Sequence, residues 1–156
     1  MLRQRAAEVT DIDGRLVKLA DDMVTTMYDA PGMGLAAPQV GVEKRLFVYD
    51  VGEGPQAIVN PVIVESDGEW AFDEGCLSVP GLSWEIIRPK LIHLVGHDLA
   101  GNEVSIEADE LAARLFQHEL DHLDGRLLLE LLAPDQRKQA MRELRERLAE
   151  DERSAA

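Results

Sequence analysis

Apolar residues recur at intervals of three and four in three segments of the chain, which is the spacing of an amphipathic α-helix. The first segment runs from Asp13 to Tyr28, the second covers residues 109–124 and the third residues 134–150. Their apolar faces are formed by Leu16, Leu19, Ala20, Met23 and Met27, by Leu111 and Leu115, and by Met141, Leu144 and Leu148. Gly125 follows the second segment and predicts its C-terminal end. The pattern therefore predicts three helices, one near each end of the chain and one between them.

Shorter apolar runs between the first two helices predict β-strands. These runs cover residues 45–51, 56–65, 69–72, 84–87, 90–98 and 103–108. Pro80-Gly81 predicts a turn before the fourth run, and residues 99–102 predict a hairpin turn between the last two. We therefore expect an α+β fold, in which small antiparallel or mixed β-sheets pack around the central helix, with an N-terminal helix and a C-terminal helix.

Length and composition narrow the class of protein. A chain of 156 residues can form one domain with its own core, which we expect over residues 1–150, with a disordered tail at 151–156. No apolar run reaches the roughly eighteen residues of a membrane-spanning helix. The net charge of −14 argues against unaided binding to nucleic acid or anionic lipid. A single cysteine and a polar start at residues 1–5 favour a reducing, cytoplasmic location.

The central helix contains the candidate chemistry, because residues 117–122 read Gln-His-Glu-Leu-Asp-His. His118 and His122 are four residues apart, so they project from one helix face and can bind one metal ion. Glu119 follows the first histidine and can act as acid and base on a water activated by that metal. An H-E-x-x-H string also occurs by chance, so the motif alone leaves an ordinary packed helix open.

Cys76, within Glu74-Gly75-Cys76-Leu77-Ser78, is the only cysteine of the chain, so it cannot form an intramolecular disulfide. A lone cysteine is most often a small buried hydrophobe. It could also be a nucleophile, which would need His93 or His97 as its base. Catalytic metal sites commonly have three protein ligands and one open position. We favour Cys76 as the third ligand beside the two histidines.

A glycine-rich segment, residues 32–39, reads Gly-Met-Gly-Leu-Ala-Ala-Pro-Gln. Gly32 and Gly34 would let the backbone approach a ligand closely. The segment lacks the Lys-Ser/Thr pair of a phosphate-binding P-loop. Gln39 can donate from its amide to an oxygen that becomes negative during hydrolysis. Taken alone, the segment is better explained as a simple turn after a helix.

Together and in this order, the three segments resemble the peptide deformylase family. That family is marked by a Gly-x-Gly-Leu-Ala-Ala-x-Gln loop, a Glu-Gly-Cys-Leu-Ser segment and a Gln-His-Glu-x-Asp-His helix. All three are intact, at residues 32–39, 74–78 and 117–122. The resemblance implies a metal-dependent hydrolase that removes the N-formyl group from the N-terminal formyl-methionine of nascent polypeptides and releases formate.

The resemblance also implies a role for individual residues. The family's metal ligands correspond to Cys76, His118 and His122, its acid/base to Glu119, and its oxyanion donors to the Gln39 side chain and the Leu77 backbone N–H. The metal would be one divalent ion, Fe(II) in the first place, with Ni(II), Co(II) or Zn(II) able to substitute. Glu74 corresponds to an acidic position of the family motif and would support the ligand shell, with Arg88 as its ion-pair partner.

An apolar cleft beside the metal would suit the unbranched side chain of formyl-methionine. Leu111 and Leu115 precede His118 by two helical turns and one, and Met33 and Leu35 would form the opposing wall. By family analogy, Gly34 would contact the first peptide unit of the substrate. A plain hydrophobic core remains the alternative for these apolar residues.

The C-terminal helix differs in charge from the rest of the chain. Residues 134–150 include five basic and four acidic side chains, which gives +1 within a chain of −14. In the family a C-terminal helix can dock the enzyme near the ribosomal exit, so contact with ribosomal RNA is possible here. The alternative is a helix that only packs on its own domain.

Three rival functions remain compatible with the residues. One is a hydrolase of the same fold that acts on a different formylated or acylated amine. Another is a non-catalytic module that binds a metal ion or the ribosome, although such a module would need neither Gln39 nor Glu119. The third is a zinc peptidase, whose third ligand is usually histidine or glutamate rather than cysteine.

Overall fold

The computed structural model describes residues 5–30, 32–76, 79–126 and 134–155, and only the backbone of residues 75, 76, 79–84, 144, 147, 148 and 150–155. The elements are α1 (Gly14–Asp29), β1 (Gly34–Ala36), a 3₁₀ helix (Ala37–Val40), β2 (Leu46–Tyr49), β3 (Gln56–Asp67), β4 (Trp70–Cys76), β5 (Val79–Arg88), β6 (Leu91–His97), β7 (Glu103–Asp109), α2 (Glu110–Leu123) and α3 (Pro134–Ala155). The predicted α+β class, with an N-terminal and a C-terminal helix, is confirmed.

The chain divides into two compact units. The first unit comprises Met1–Glu69 and Pro89–Arg126, and the second comprises Trp70–Arg88 and Leu127–Ala156. The prediction of a single domain over residues 1–150 stays a prediction. No helix among the described residues has the length and apolarity that crossing a membrane requires.

A five-stranded sheet forms the framework of the first unit. Its strand order is β1-β2-β3-β6-β7, and each neighbouring pair is antiparallel. The β6–β7 pair is the predicted hairpin, with Asp98 closing its turn by accepting the N–H groups of Ala100 and Asn102, both at 2.9 Å. Strand β1 lies at the sheet edge, inside the glycine-rich segment.

Strand β2 is buried on both faces, which explains its unbroken apolar sequence. Alternate side chains of a strand point to opposite faces. Leu46 and Val48 pack with α1, in a cluster that includes Leu16 and Met23. Phe47 and Tyr49 pack with α2, where the Tyr49 and Phe116 rings meet edge to face at 4.8 Å between centroids. Helices α1 and α2 therefore cover opposite faces of the same strand.

The second unit contains the antiparallel β4–β5 pair and α3, which packs against β5. The sequence pattern differs from the structure here in two places. Pro80-Gly81 lies within β5, which begins at Val79, and is not the turn that precedes it. Helix α3 continues to Ala155, so residues 151–155, expected as a disordered tail, are helical.

Candidate metal centre in helix α2

Helix α2 is hydrogen-bonded to residues 89–90, which directly precede β6. At the beginning, the Glu110 N–H donates to the Lys90 carbonyl at 2.9 Å. In the helix, the Gln117 amide donates to the Pro89 carbonyl at 3.0 Å. The helix ends at Leu123, and Gly125, at φ +73°, supplies the left-handed residue that the sequence predicts there. These attachments fix the turn that contains the two histidines.

His118 and His122 lie on one face of α2, as predicted, and their Nε2 atoms are 3.2 Å apart. Two imidazole nitrogens that bind one tetrahedral ion at about 2.0–2.1 Å would be separated by roughly 3.3 Å. Both histidines are partly buried. The pair therefore fits a metal ion with little rearrangement.

Glu119 is nearly inaccessible, with 3% of its surface exposed. Its Oε2 atom is buried and has no hydrogen-bond partner among the described residues. Burial is the main cause that raises the pKa of Glu119, to about 7, while the positive charge of His118 opposes the shift. A carboxyl group with a pKa near neutrality can both accept and return a proton, as acid–base catalysis requires.

Strand β1 lies directly against this carboxyl group, because residue 34 is glycine. A Cβ atom on Gly34 would lie 2.8 Å from the Leu115 Cδ1 atom and 3.1 Å from the Glu119 Oε1 atom. Both distances are shorter than ordinary van der Waals contact. The close approach that the sequence predicts for Gly34 is thus to Glu119 and Leu115.

Gln39 lies in the 3₁₀ helix that follows β1, and it is partly buried. Its Oε1 atom accepts the Ala36 N–H at 2.9 Å. This bond uses the acceptor end of the side-chain amide, so the end that can serve a ligand is the NH₂ donor. Donor groups are what an oxyanion requires.

The proposed pocket residues occupy different environments. Leu115 is next to Gly34, while Leu111 and Met33 are 53% and 51% exposed. Leu35 is 4% exposed and packs in the α1 cluster, so its side chain lies on the strand face opposite to that of Gly34. The structure therefore does not bring the Leu35 side chain to α2.

In the second unit, Glu74 and Arg88 form the predicted ion pair. Arg88 donates from Nε to Glu74 Oε2 at 2.6 Å and from Nη2 to Glu74 Oε1 at 2.9 Å. Both side chains are buried, and the two parallel bonds fix the carboxylate orientation. The pair joins β4 to β5 shortly before Cys76 in sequence.

Cys76 is the last residue of β4, but its side chain is outside the described part, as is all of Leu77. Among the side chains that are described, no group of three histidine, cysteine, aspartate or glutamate residues could hold a metal ion. Cys76 as third ligand and the Leu77 N–H as oxyanion donor thus remain predictions.

Two residues that contribute to the geometry were not singled out from sequence. Gln117 anchors α2 through the Pro89 carbonyl, and its place beside His118 in the motif was a usable signal. Arg45 is buried at the beginning of β2 and donates to the end of α2. A basic residue directly before a fully apolar strand was the available signal for Arg45.

Comparisons with known proteins agree on one group. A family model described as Polypeptide deformylase matches residues 1–138. The peptide deformylase of Agathobacter rectalis is 55% identical over 125 residues, which are 79% of this chain and 78% of that protein. The Legionella pneumophila peptide deformylase structure is 42% identical, with a TM-score of 0.87 and 97% and 92% of the two chains covered. The Thermus thermophilus peptide deformylase structure is 39% identical, with a TM-score of 0.89 and 99% and 93% covered.

Proposed function

The chain belongs to the peptide deformylase family, and from this membership we propose how its own residues perform the family's reaction. That reaction is the metal-dependent removal of the N-formyl group from nascent polypeptides. Hydrolysis of the formyl-methionine amide releases formate and a free amino terminus. The observation that supports our assignment most directly is the buried, unsatisfied Glu119 oxygen beside the His118–His122 pair.

We assign Cys76, His118 and His122 as the metal ligands, with Fe(II) as the physiological ion and Ni(II), Co(II) or Zn(II) as substitutes. Thiolate and imidazole are ligands that suit these ions. The ion, when bound, acidifies water and polarises the formyl carbonyl. The Nε2–Nε2 distance of 3.2 Å supports the histidine part of this set.

Glu119 acts as the acid/base in this proposal. Its carboxylate takes a proton from the attacking water and then delivers it to the departing amine nitrogen. Because burial raises its pKa to about 7, both protonation states are accessible near neutral pH. The Gln39 NH₂ and the Leu77 N–H donate to the oxygen that becomes negative as the formyl carbon turns tetrahedral. The Ala36 N–H supports the Gln39 role by holding the amide in one orientation.

For the substrate, we assign the methionine side chain to an apolar surface of Met33, Leu111 and Leu115. Met33 and Leu111 are about half exposed, so a substrate side chain can contact them without local unfolding of the protein. Gly34 and Leu35 contribute through their backbone in the edge strand β1, since the Leu35 side chain is in the core. The Glu74–Arg88 pair supports the segment that leads to Cys76.

The test is formate release from a formyl-Met tripeptide by protein purified without oxygen and loaded with Fe(II) or Ni(II). We expect Glu119→Gln to retain the metal but to lose about 10²- to 10⁴-fold in turnover. Gln39→Leu should lose about 10²- to 10³-fold. Glu107→Gln makes the same chemical change at an exposed β7 position and is the matched control. Undiminished turnover in Glu119→Gln would contradict the acid/base assignment.

We also propose that α3 brings the enzyme to the ribosome, and hence that it works in the cytoplasm. Arg137, Lys138 and Arg145 line a surface cavity of about 370 Å³ together with Pro134 and Met141. Such a basic patch can neutralise RNA phosphates, although the whole chain carries a charge of −14.

Co-sedimentation with ribosomes tests this docking surface. We expect the triple change of Arg137, Lys138 and Arg145 to Glu to abolish binding that is strong at low salt and weak at high salt. Arg142→Glu, at an exposed α3 position that does not line the cavity, is the control. Equal binding by the triple variant and the control would exclude this surface.

A further inference from the structure

Arg45 is a buried arginine whose side chain lies at the C-terminal end of α2. It is 5% exposed. Its Nη1 donates to the Leu123 carbonyl at 3.2 Å, and its Nη2 donates to Asp124 Oδ1 at 2.9 Å. Leu123 is the last residue of α2 and directly follows His122. The guanidinium is therefore bonded to the residue next to a proposed metal ligand.

The backbone of Arg45 is held as firmly as its side chain. Its N–H donates to the Ala7 carbonyl at 2.9 Å, and its carbonyl accepts the Asn60 N–H at 2.8 Å. The Leu123 carbonyl also accepts the Ala6 N–H at 2.7 Å. Arg45 thus connects three backbone segments, at residues 6–7, at residue 60 in β3 and at the end of α2.

The electrostatics favour an arginine at this point. The last carbonyls of a helix lack partners within the helix, and the helix dipole makes that end negative. A buried cation is costly unless it is paired, and here Asp124 supplies the opposite charge. The interaction is therefore specific to the end of α2 rather than a general surface ion pair.

We propose that Arg45 is a positioning residue for the metal centre: it fixes the last turn of α2 and so sets His122 relative to His118. This inference rests on the proposed ligand set. Gln117 anchors α2 just before His118, and Arg45 anchors it just after His122, so the ligand-bearing turn lies between two attachments. Metal–ligand distances tolerate changes of only about 0.2 Å, so a small rotation of that turn weakens binding.

The experiment compares metal retention with global stability. Arg45→Met keeps most of the aliphatic stem and removes the guanidinium. Asp13→Ala is the control, because it removes the bond in which the Asp13 carboxylate accepts the Leu16 N–H at 3.0 Å at the beginning of α1, and it changes neither α2 nor the bonds of Arg45. Ni(II) release to a colorimetric chelator is measured well below the melting temperature of every variant.

We expect Arg45→Met to release Ni(II) about tenfold faster than the unmodified protein, at the low end of the effect of outer-shell partners. Asp13→Ala should melt earlier but release Ni(II) at the unmodified rate. Arg45→Lys, which keeps the charge and offers a donor, should fall between. If Arg45→Met does not fold, Ni(II) release is compared between the unmodified protein and the variants Arg45→Lys and Asp124→Asn.

Two outcomes would overturn the proposal. Equal retention of Ni(II) in the Arg45 variants and the unmodified protein would show that Arg45 does not position the metal centre. That result would leave the proposed ligand set unaffected. Equal acceleration in Asp13→Ala would mean that general loosening of the fold, not the position of the α2 end, controls release. An unmodified protein that binds no Ni(II) would instead overturn the ligand set itself.

Discussion

At the scale of single residues, Gly34 allows strand β1 to lie close to Glu119, the proposed acid/base. A methyl group at this position would overlap Leu115 and press on the Glu119 carboxyl group. We therefore predict that Gly34→Ala lowers kcat/KM by about tenfold or more while the protein stays folded, since small misplacements of catalytic groups are costly. Formate release at saturating metal measures the effect. Gly14→Ala, where no atom lies within 4 Å of the added Cβ, is the control. Unchanged kcat/KM in Gly34→Ala would show that the contact relaxes freely.

Tyr28 and Asp50 allow a prediction about pH. The Tyr28 hydroxyl donates to Asp50 Oδ2 at 2.6 Å and is the main cause that lowers the pKa of Asp50, followed by the Gly52 N–H. A carboxyl group whose folded pKa is lowered stabilises the fold above its unfolded pKa, and this contribution disappears as the pH falls through the folded pKa. Tyr28→Phe should therefore raise the pKa of Asp50. The difference in the free energy of unfolding between this variant and the unmodified protein should become smaller as the pH falls into the acid range. A carbon-13 NMR titration of Asp50 in both proteins tests this, and an identical pKa would refute it.

At the scale of elements, α1 begins where the sequence predicts, because Asp13 is its N-cap. The Asp13 carboxylate accepts the Leu16 N–H at 3.0 Å. We predict that Asp13→Ala lowers the free energy of unfolding by about 1 kcal/mol, whereas Asp13→Asn, an equally good cap, costs much less. Urea unfolding of the unmodified protein and both variants measures these differences. An equal loss of unfolding free energy in the two variants would indicate an effect of charge rather than of capping.

An element could be predicted from the sequence when the interactions that form it lie within its own segment. The buried positions of α1, Leu16, Ala20, Met23 and Met27, were all expected from their spacing. Strand β1 was not, because a strand of only three residues, Gly-Leu-Ala, carries little pattern, and it forms by pairing with β2. Pro80-Gly81 resembled a turn, yet these residues lie within β5, at a register shift between Val79 and Ser83 that depends on the pairing with β4 rather than on local sequence.

The same distinction applies to the candidate site. The residue types were readable, since His118, Glu119 and His122 share one helical turn and Gln39 ends the glycine-rich segment. Their surroundings were not, because the contact of Gly34 with Glu119 and the bond from Arg45 to Leu123 join residues about eighty positions apart. The burial of the Leu35 side chain was not readable for the same reason: its neighbour α1 determines which strand face is core.

At the scale of the whole molecule, metal binding should contribute to stability, because an ion that binds only the folded chain stabilises it by mass action. At an ion concentration of a hundred times Kd this amounts to about 2.7 kcal/mol, or a shift of roughly 5–10 °C in Tm for a chain of this size. Removal of the metal by a chelator should lower Tm by that amount, and Ni(II) should restore it. Calorimetry with His122→Ala as control tests this, since that variant should respond to neither. A Tm independent of metal in the unmodified protein would contradict the ligand set.

Strand β2 has a consequence for engineering this enzyme. Phe47 and Tyr49 contact α2, whereas Leu46 and Val48 contact α1. A change of side-chain volume at an odd-numbered β2 position therefore affects α2, and one at an even-numbered position affects α1. Substitutions at even positions therefore offer a route to greater heat tolerance that leaves turnover alone. Substitutions at odd positions change the packing beneath α2, which contains the proposed metal ligands. A mutant library confined to the four residues of β2 can thus change heat tolerance and turnover separately.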